Sequence, residues 1–199
     1  TEDEAFQGAE GLVHNLNTMH SRAGAQVPFS SINFGCDTSE AGRLVSKVLL
    51  KAQLEGLGKH ETPIFPILIY QLKKGINFNP GDPNYDILRL AMECSSKRLF
   101  PTYAFADSSF NLPFYDKDHY YGLINTMGCR TRVMSNLNGR EGAIGRGNLS
   151  FNSVNLPMIA LNAKGNIDKF YKQLEYACEM ADKALLERLE VQGKQQKRN

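Results

Sequence analysis

The chain has 199 residues, 42% of them hydrophobic and 22% charged, with a net charge of +2. That is enough chain for one sizeable core. The near-neutral balance argues against a dedicated nucleic-acid or membrane-surface protein, no apolar run reaches membrane-spanning length, and the start, TEDEAFQGAEG, has no signal-peptide pattern.

Residues 4–20 read as a helix, with Ala5, Ala9, Leu12, Val13, Leu16 and His20 on one face at helical spacing. Gly24 permits a turn, and QVPFSSINF (26–34) reads as a strand. In DTSE, Asp37 and Glu40 have the spacing of a capping box. The helix that follows runs to about 55, with Ala41, Leu44, Val45, Val48, Leu49 and Ala52 as its apolar stripe, and Gly56 and Gly58 end it. IFPILIY (64–70) is a short apolar run after prolines, which favours a buried strand.

Turn signals follow in NFNPGDPN, and Pro83 suits a first helical turn. The next helix, 84–98, buries Ile87, Leu90, Ala91 and Cys94. Residues 101–120 are aromatic and irregular. LSFNSVNLPMIAL (149–161) reads as a strand running into a loop. A long helix covers 166–191, with Ile167, Phe170, Leu174, Cys178, Ala181, Leu185 and Leu189 aligned. The tail GKQQKRN (193–199) is polar, basic and expected to fray.

Helices alternating with apolar strands predict an α/β layer built on parallel strands. The region 101–148 breaks the rhythm. It is long, rich in glycine and arginine, and without periodicity. Ligands in α/β folds sit in the loops at strand ends, so chemistry is expected there.

The four cysteines, Cys36, Cys94, Cys129 and Cys178, form no CxxC pair, which speaks against a structural zinc site and fits a reducing cytoplasm. The four histidines show no metal-binding spacing. Cys94 and Cys178 lie on helical apolar stripes and read as small buried hydrophobes. Cys36 follows NFG at a strand end, where exposure is conceivable but packing is the commoner role. Cys129 lies outside any stripe, after Gly128 and before Arg130 and Arg132. Nearby cations favour a thiolate. If the backbone there is extended, Met127 and Cys129 point the same way and place two sulfurs side by side. Residues alone leave two readings of Cys129 open, a working thiol and a packed sulfur.

GREGAIGRGN (139–148) carries glycines and arginines that suit an anion, but it matches neither a Walker A nor a dinucleotide fingerprint, and a plain glycine loop reads equally well. His20, Ser21, Arg22 and Gln26 form a polar cluster at a helix end, suited either to binding or to capping.

Taken together, HNLNTMHSRAGAQVPFSSINFG, IFPILIYQLKKGINF, PNYDILRLAMECSSKRLFP, MGCR and GRGNLSFNSVNLPMIAL resemble the anaerobic (class III) ribonucleoside-triphosphate reductases, in order and along essentially the whole chain. The resemblance implies a ten-stranded α/β barrel of two parallel five-stranded halves joined by crossover helices, with a central catalytic loop. It implies a glycyl radical generated by an iron–sulfur activase that uses S-adenosylmethionine. A thiyl radical then abstracts the ribose 3′ hydrogen, and in one branch formate is the reductant. On the matching motifs, Cys129 is implied as the reducing thiol, Met127 as its sulfur partner and Asn148 as the polar residue that orients ribose or formate. Thr131 is implied to line the site. Arg130 and Arg146 belong to the same motifs and, with His20 and Ser21, complete the expected substrate-binding set.

The departures are also informative. The radical-receiving cysteine, the glycyl radical loop, the zinc-binding cysteines and the nucleotide-effector domain have no counterpart here. The expectation is therefore a single internal segment, 1–199, holding about half the barrel plus the central loop within 101–148. It would carry no metal or cofactor of its own. The parent enzyme would use a glycyl radical, formate, structural zinc and ATP or deoxynucleotide effectors. It would be a cytoplasmic homodimer acting on ribonucleoside triphosphates, with no direct nucleic-acid or membrane partner. The segment alone would be inactive. The alternative is a non-catalytic nucleotide-binding or scaffold domain that keeps the half-barrel. A formate-lyase relative is disfavoured by the HSRAGAQ and NLPMIAL contexts.

Overall fold

Three parallel strands organise the first part of the chain. In the computed structural model, residues 1–20, 26–116, 118, 123–129, 131–132, 134–136, 139–146 and 150–195 are described. They divide into two compact units, Thr1–Gly145 and Arg146–Asn199.

Helix α1 (Glu2–Thr18) starts at a true capping box, Thr1 with Glu4, and its first turn holds Glu2, Asp3 and Glu4 against the helix dipole. It buries Ala9 and Val13 against Val48, Leu49 and Ala52 of α2 (Glu40–Glu55). The cap of α2 differs from the expected one. Ser39, not Asp37, caps it by accepting from the Gly42 N–H at 3.1 Å, while Asp37 accepts from the Ser39 N–H at 2.8 Å. The apolar stripe of α2 is also wider than read. Val45 is exposed, and Leu50 and Gln53 are fully buried. The helix lies between α1 and α3 (Tyr85–Arg98), so it must cover two neighbours.

Strand β1 (Ser31–Phe34) is shorter than expected, and β2 (Ile67–Leu72) begins only after Pro66. Residues 101–120 hold a third strand, β3 (Thr102–Phe105), and a 3-10 turn at Leu112–Phe114. This corrects the irregular reading of 101–120. β3 is too short to show alternation, although Thr, Tyr and Phe suit a strand. The order is β1-β2-β3, all parallel, with Phe34 paired to Tyr70 and Tyr70 to Tyr103. These three rings meet edge to face on the helix-covered side of the sheet, at 5.4 and 6.1 Å between centroids. There Tyr70 packs with Leu50, Leu72, Ile87, Leu88, Ala91 and Cys94. A side chain of that size, fully buried, contributes about 2–3 kcal/mol.

The expected parallel α/β layer with crossover helices is therefore present, with three strands among the described residues.

In the second unit, the expected strand at 149–161 is instead a helix, α4 (Leu156–Ala163), preceded by irregular backbone. Asn155 caps it by accepting from the Met158 N–H at 3.0 Å, and Pro157 sits in its first turn. Lys164 and Gly165, both at positive φ, turn the chain into α5 (Ile167–Gly193), which Asn166 caps. α5 packs on α4 through a narrow stripe, and Phe170, Leu174, Ala181 and Leu185 are only half-buried. Cys178 is exposed, contrary to the buried position expected from the stripe.

Candidate functional site

The second face of the sheet carries the chain that leads to Cys129. Strand side chains alternate between faces, so Ser31 and Asn33 share a face with Ile67, Ile69 and Gln71, opposite the helices. Residues 124–128 lie along this face, running against the strand direction. The Gln71 side-chain amide donates to the Ile124 carbonyl and, at 3.0 Å, to Asn125 Oδ1. Asn33 makes two bonds to one residue. Its Nδ2 donates to the Thr126 carbonyl at 2.8 Å, and its Oδ1 accepts from the Thr126 N–H at 3.1 Å. Gly128 lies at the start of β1 and β2. A Cβ there would come within 2.8 Å of Ile67 Cδ1, 3.0 Å of Phe29 Cε1 and 3.4 Å of Ser31 Cβ.

The chain then turns back. Thr126 and Arg132 form an antiparallel bridge, and the Met127 N–H donates to the Thr131 carbonyl at 2.9 Å. Residues 126–129 and 131–132 thus form the two arms of a tight finger, with Cys129 at the turn. Arg132 anchors the returning arm. Its guanidinium donates to the Phe110 carbonyl and, at 2.9 Å, to Asn111 Oδ1. It also lies over the Phe110 and Phe114 rings, 5.1 and 5.2 Å from their centroids.

Cys129 is exposed, with Thr131 Oγ1 3.2 Å from its sulfur. The Thr131 hydroxyl, followed by the Thr131 backbone, holds the thiol pKa below its ordinary value. Of the two arginines expected to favour the thiolate, Arg132 is instead turned onto Asn111 and two phenyl rings, and Arg130 lies outside the described residues; the described donor that favours the thiolate is Thr131. Gly128 and Cys129 form a turn, so the alternation of an extended strand does not set the relation of the Met127 and Cys129 sulfurs.

The other cysteines contrast with Cys129. Cys36 points its thiol at the Gln71 carbonyl, 3.7 Å away, and burial pushes it up to about 11. Cys94 is fully buried, donates to the Leu50 carbonyl at 3.7 Å and is likewise pushed up to about 11.

Of the expected site residues, the side chains of Cys129 and Thr131 meet at the finger tip, and Met127 is joined to them through its backbone bond to Thr131. His20 is exposed just beyond α1. That helix end is tied to the entry of β2, where Asn17 Oδ1 accepts from the Ile64 and Phe65 N–H groups at 3.0 Å each. Arg146 is the first residue of the second unit. Ser21, Arg130 and Asn148 lie outside the described residues, as do Arg22 and the end of the glycine loop. Within that loop, the Gly142 N–H is bonded to the Met134 carbonyl at 2.9 Å, so it is not offered to an anion. Among the described residues, no group of three or more His, Cys, Asp or Glu side chains is placed to hold a metal, and no helix is long and apolar enough to cross a membrane.

Asn33, Gln71 and Asn111 are the residues around the finger that motif reading misses, and Arg132, expected to favour the thiolate, takes an anchoring role instead. One signal for the first two is legible. An amide inside SINF or ILIYQL is costly to bury unless it finds a partner, and here the partner is the finger backbone.

A parallel sheet with helices on one face, and on the other a clamped finger tipped by an exposed thiol, defines a thiol-bearing α/β domain. Its relatives make the class specific. The family described as anaerobic ribonucleoside-triphosphate reductase matches residues 1–199, and the chain belongs to it. It is 41% identical over 196 residues to the Haemophilus influenzae protein named anaerobic ribonucleoside-triphosphate reductase, covering 94% of this chain and 26% of that protein. The protein of that name from Escherichia coli is 38% identical, with 94% of this chain and 25% of the relative covered. The one from Enterobacteria phage T4 is 34% identical, with 95% and 31% covered. The chain thus spans between about a quarter and a third of the length of these relatives.

Proposed function

We propose that this chain forms part of the catalytic barrel of an oxygen-sensitive, glycyl-radical ribonucleotide reductase, and that Cys129 is a working thiol of its active site. The observation that carries the reading is the placement of Cys129. It is exposed at the tip of a finger clamped to the sheet, with the Thr131 hydroxyl 3.2 Å from its sulfur. Buried cysteines such as Cys94 lack both features.

The chemistry proposed for Cys129 is hydrogen-atom donation to a ribose carbon radical. The Sγ–H bond breaks, a C–H bond forms, and the unpaired electron is left on sulfur. Met127 is a soft, polarisable neighbour in the same tip, suited to sharing that electron. Formate, as co-substrate, is the proposed source of the reducing electrons, supported by the methionine two residues before the MGCR cysteine. Thr131 is the donor group at the tip suited to an anionic or hydroxyl-bearing substrate, with Arg130, Arg146, His20, Ser21 and Asn148 as the remaining proposed substrate residues.

Family membership supports the rest of the proposal. The substrate is a ribonucleoside triphosphate and the product a deoxyribonucleoside triphosphate. The parent is a homodimer activated by an S-adenosylmethionine iron–sulfur partner and regulated by ATP and deoxynucleotides, and it works in the cytoplasm. The three-stranded sheet is proposed as part of a ten-stranded barrel. This chain alone is proposed to be inactive.

The test uses the full-length parent with its activase and formate. Cys129→Ala is expected to abolish deoxynucleotide formation while nucleotide binding stays nearly intact. Turnover equal to that of the unmodified enzyme would remove Cys129 from the mechanism.

A further inference from the structure

We propose that Asn33 is a positioning residue for Cys129: by clasping both backbone groups of Thr126 it fixes the register of the finger, and so the point at which the thiol is presented. This rests on the reading of Cys129 as a working thiol.

Asparagine is a poor strand former, and its cross-strand partner on β2, Ile69, is apolar. A valine or isoleucine at 33 would suit the strand better. What an apolar side chain cannot supply is direction. Adjacent residues of an extended segment turn their N–H and C=O groups to the other side, so a one-residue slip breaks both bonds to Thr126, at 2.8 and 3.1 Å. An extended segment that slips by one residue reverses every side chain. Such a slip would set Asn125 or Met127 against Asn33 and carry the tip with it.

Two further contacts make the clasp effective. Gln71 grips Ile124 and Asn125, the residues just before Thr126. Gly128, two residues after it, fits against Ile67 and Phe29 only because it carries no Cβ. Thr126 is also the residue bridged to Arg132, whose guanidinium is held by Asn111. The clasp therefore holds one arm of the finger at the rung where Arg132 holds the other. Between the arms, the Met127 N–H to Thr131 carbonyl bond places the Thr131 hydroxyl beside the sulfur. Among the described residues, the side-chain hydrogen bonds of Asn33 go to Thr126 alone. It acts through Thr126.

The test is made in the full-length parent with Asn33→Ala and Asn33→Asp. Three readouts are taken. Hydrogen exchange is followed in peptides covering 124–132 and 67–72. The rate of iodoacetamide labelling of Cys129 is followed against pH and mapped by mass spectrometry, so that the exposed Cys178 is counted separately. Steady-state kinetics give kcat and KM.

In Asn33→Ala, exchange over 124–132 is expected to quicken while 67–72 stays protected. The midpoint of the Cys129 labelling profile should move up towards that of an ordinary thiol. A tip misplaced by about 1 Å is expected to lower kcat on the order of 100-fold with KM little changed. Asn33→Asp keeps the acceptor for the Thr126 N–H and should fall between the two. It also decides the matter if Asn33→Ala does not fold. A variant that loses thermal stability but keeps the unmodified labelling profile and 124–132 exchange would assign Asn33 to folding alone and overturn the proposal. If Cys129→Ala retained turnover, the working-thiol reading would fall, while exchange and labelling would still judge Asn33.

Discussion

Thr131 Oγ1 lies 3.2 Å from Cys129 Sγ, on the opposite side of the finger turn, and is the group that most favours the thiolate. A thiol held below its ordinary pKa is ionised, and reactive, at a lower pH than a free cysteine. Thr131→Val removes the donor and keeps the shape. Its labelling midpoint for Cys129 is expected to move up in pH, and Thr131→Ser should restore it. A profile unchanged in the valine variant would mean that the hydroxyl does not tune the sulfur.

The cysteines should also separate by reactivity. Near pH 8, Cys129 is expected to label well before Cys36 and Cys94, whose thiols burial pushes up to about 11. Those two thiols have a second consequence. Both start from an ordinary value of 9.0, so above that pH the unfolded chain releases protons that the folded chain keeps. Stability should therefore be complete below about pH 9 and fall as pH rises towards 11. Melting curves across that window would check the sign. A Tm that rose through it would contradict the burial of both groups.

Gly128 is expected to tolerate no side chain without moving the tip. In Gly128→Ala the new methyl meets Ile67 Cδ1 at 2.8 Å and Phe29 Cε1 at 3.0 Å, so either those side chains yield or the finger lifts. We expect the finger to lift, because it is held by fewer contacts than the strand. The kcat should fall on the order of 10- to 100-fold with little loss of Tm. Unaltered turnover would show that the side chains give way instead.

Arg132→Ala removes charge-assisted bonds to the Phe110 carbonyl and to Asn111, and the contacts to the Phe110 and Phe114 rings. The cost to stability is expected to be about 1–3 kcal/mol, as for such bonds with partial exposure. Arg132→Lys should recover only part of it, since an ammonium cannot lie flat between two rings. Chemical denaturation of all three proteins measures this.

The isolated chain is expected to self-associate. β1 and β3 each pair on one side only among the described residues, and such edges invite another strand. Light scattering after size exclusion would decide the point, and a clean monomer at tens of micromolar would count against it.

Local chemistry made much of this protein readable from its sequence. α2, α3 and α5 follow from helical spacing, with Gly56 as the stop of α2. β2 follows from an apolar run too short for a helix. Cys94 falls on a true buried stripe. The MGCR and GRGN motifs lead to the family, and MGCR to Cys129. Where reading by spacing failed, packing was the reason. β3 is only Thr102–Phe105 and is recognisable as a strand chiefly because β2 pairs with it. The segment before α4 looks like a strand, yet Asn155 and Pro157 start a helix just beyond it. Cys178 lies on a regular stripe that α4 leaves uncovered.

The sequence by itself determined which sulfur to watch, because the glycine and arginines around Cys129 and the MGCR motif set it apart from three packed or helical cysteines. Only the tertiary structure decided what serves that sulfur. Asn33 lies 93 residues from Thr126, and Gln71 lies more than fifty from Asn125. No periodicity connects residues that far apart. They meet because a parallel sheet covered by helices on one face leaves the other free, and a finger laid across it must satisfy its backbone on whatever polar side chains the strands present there.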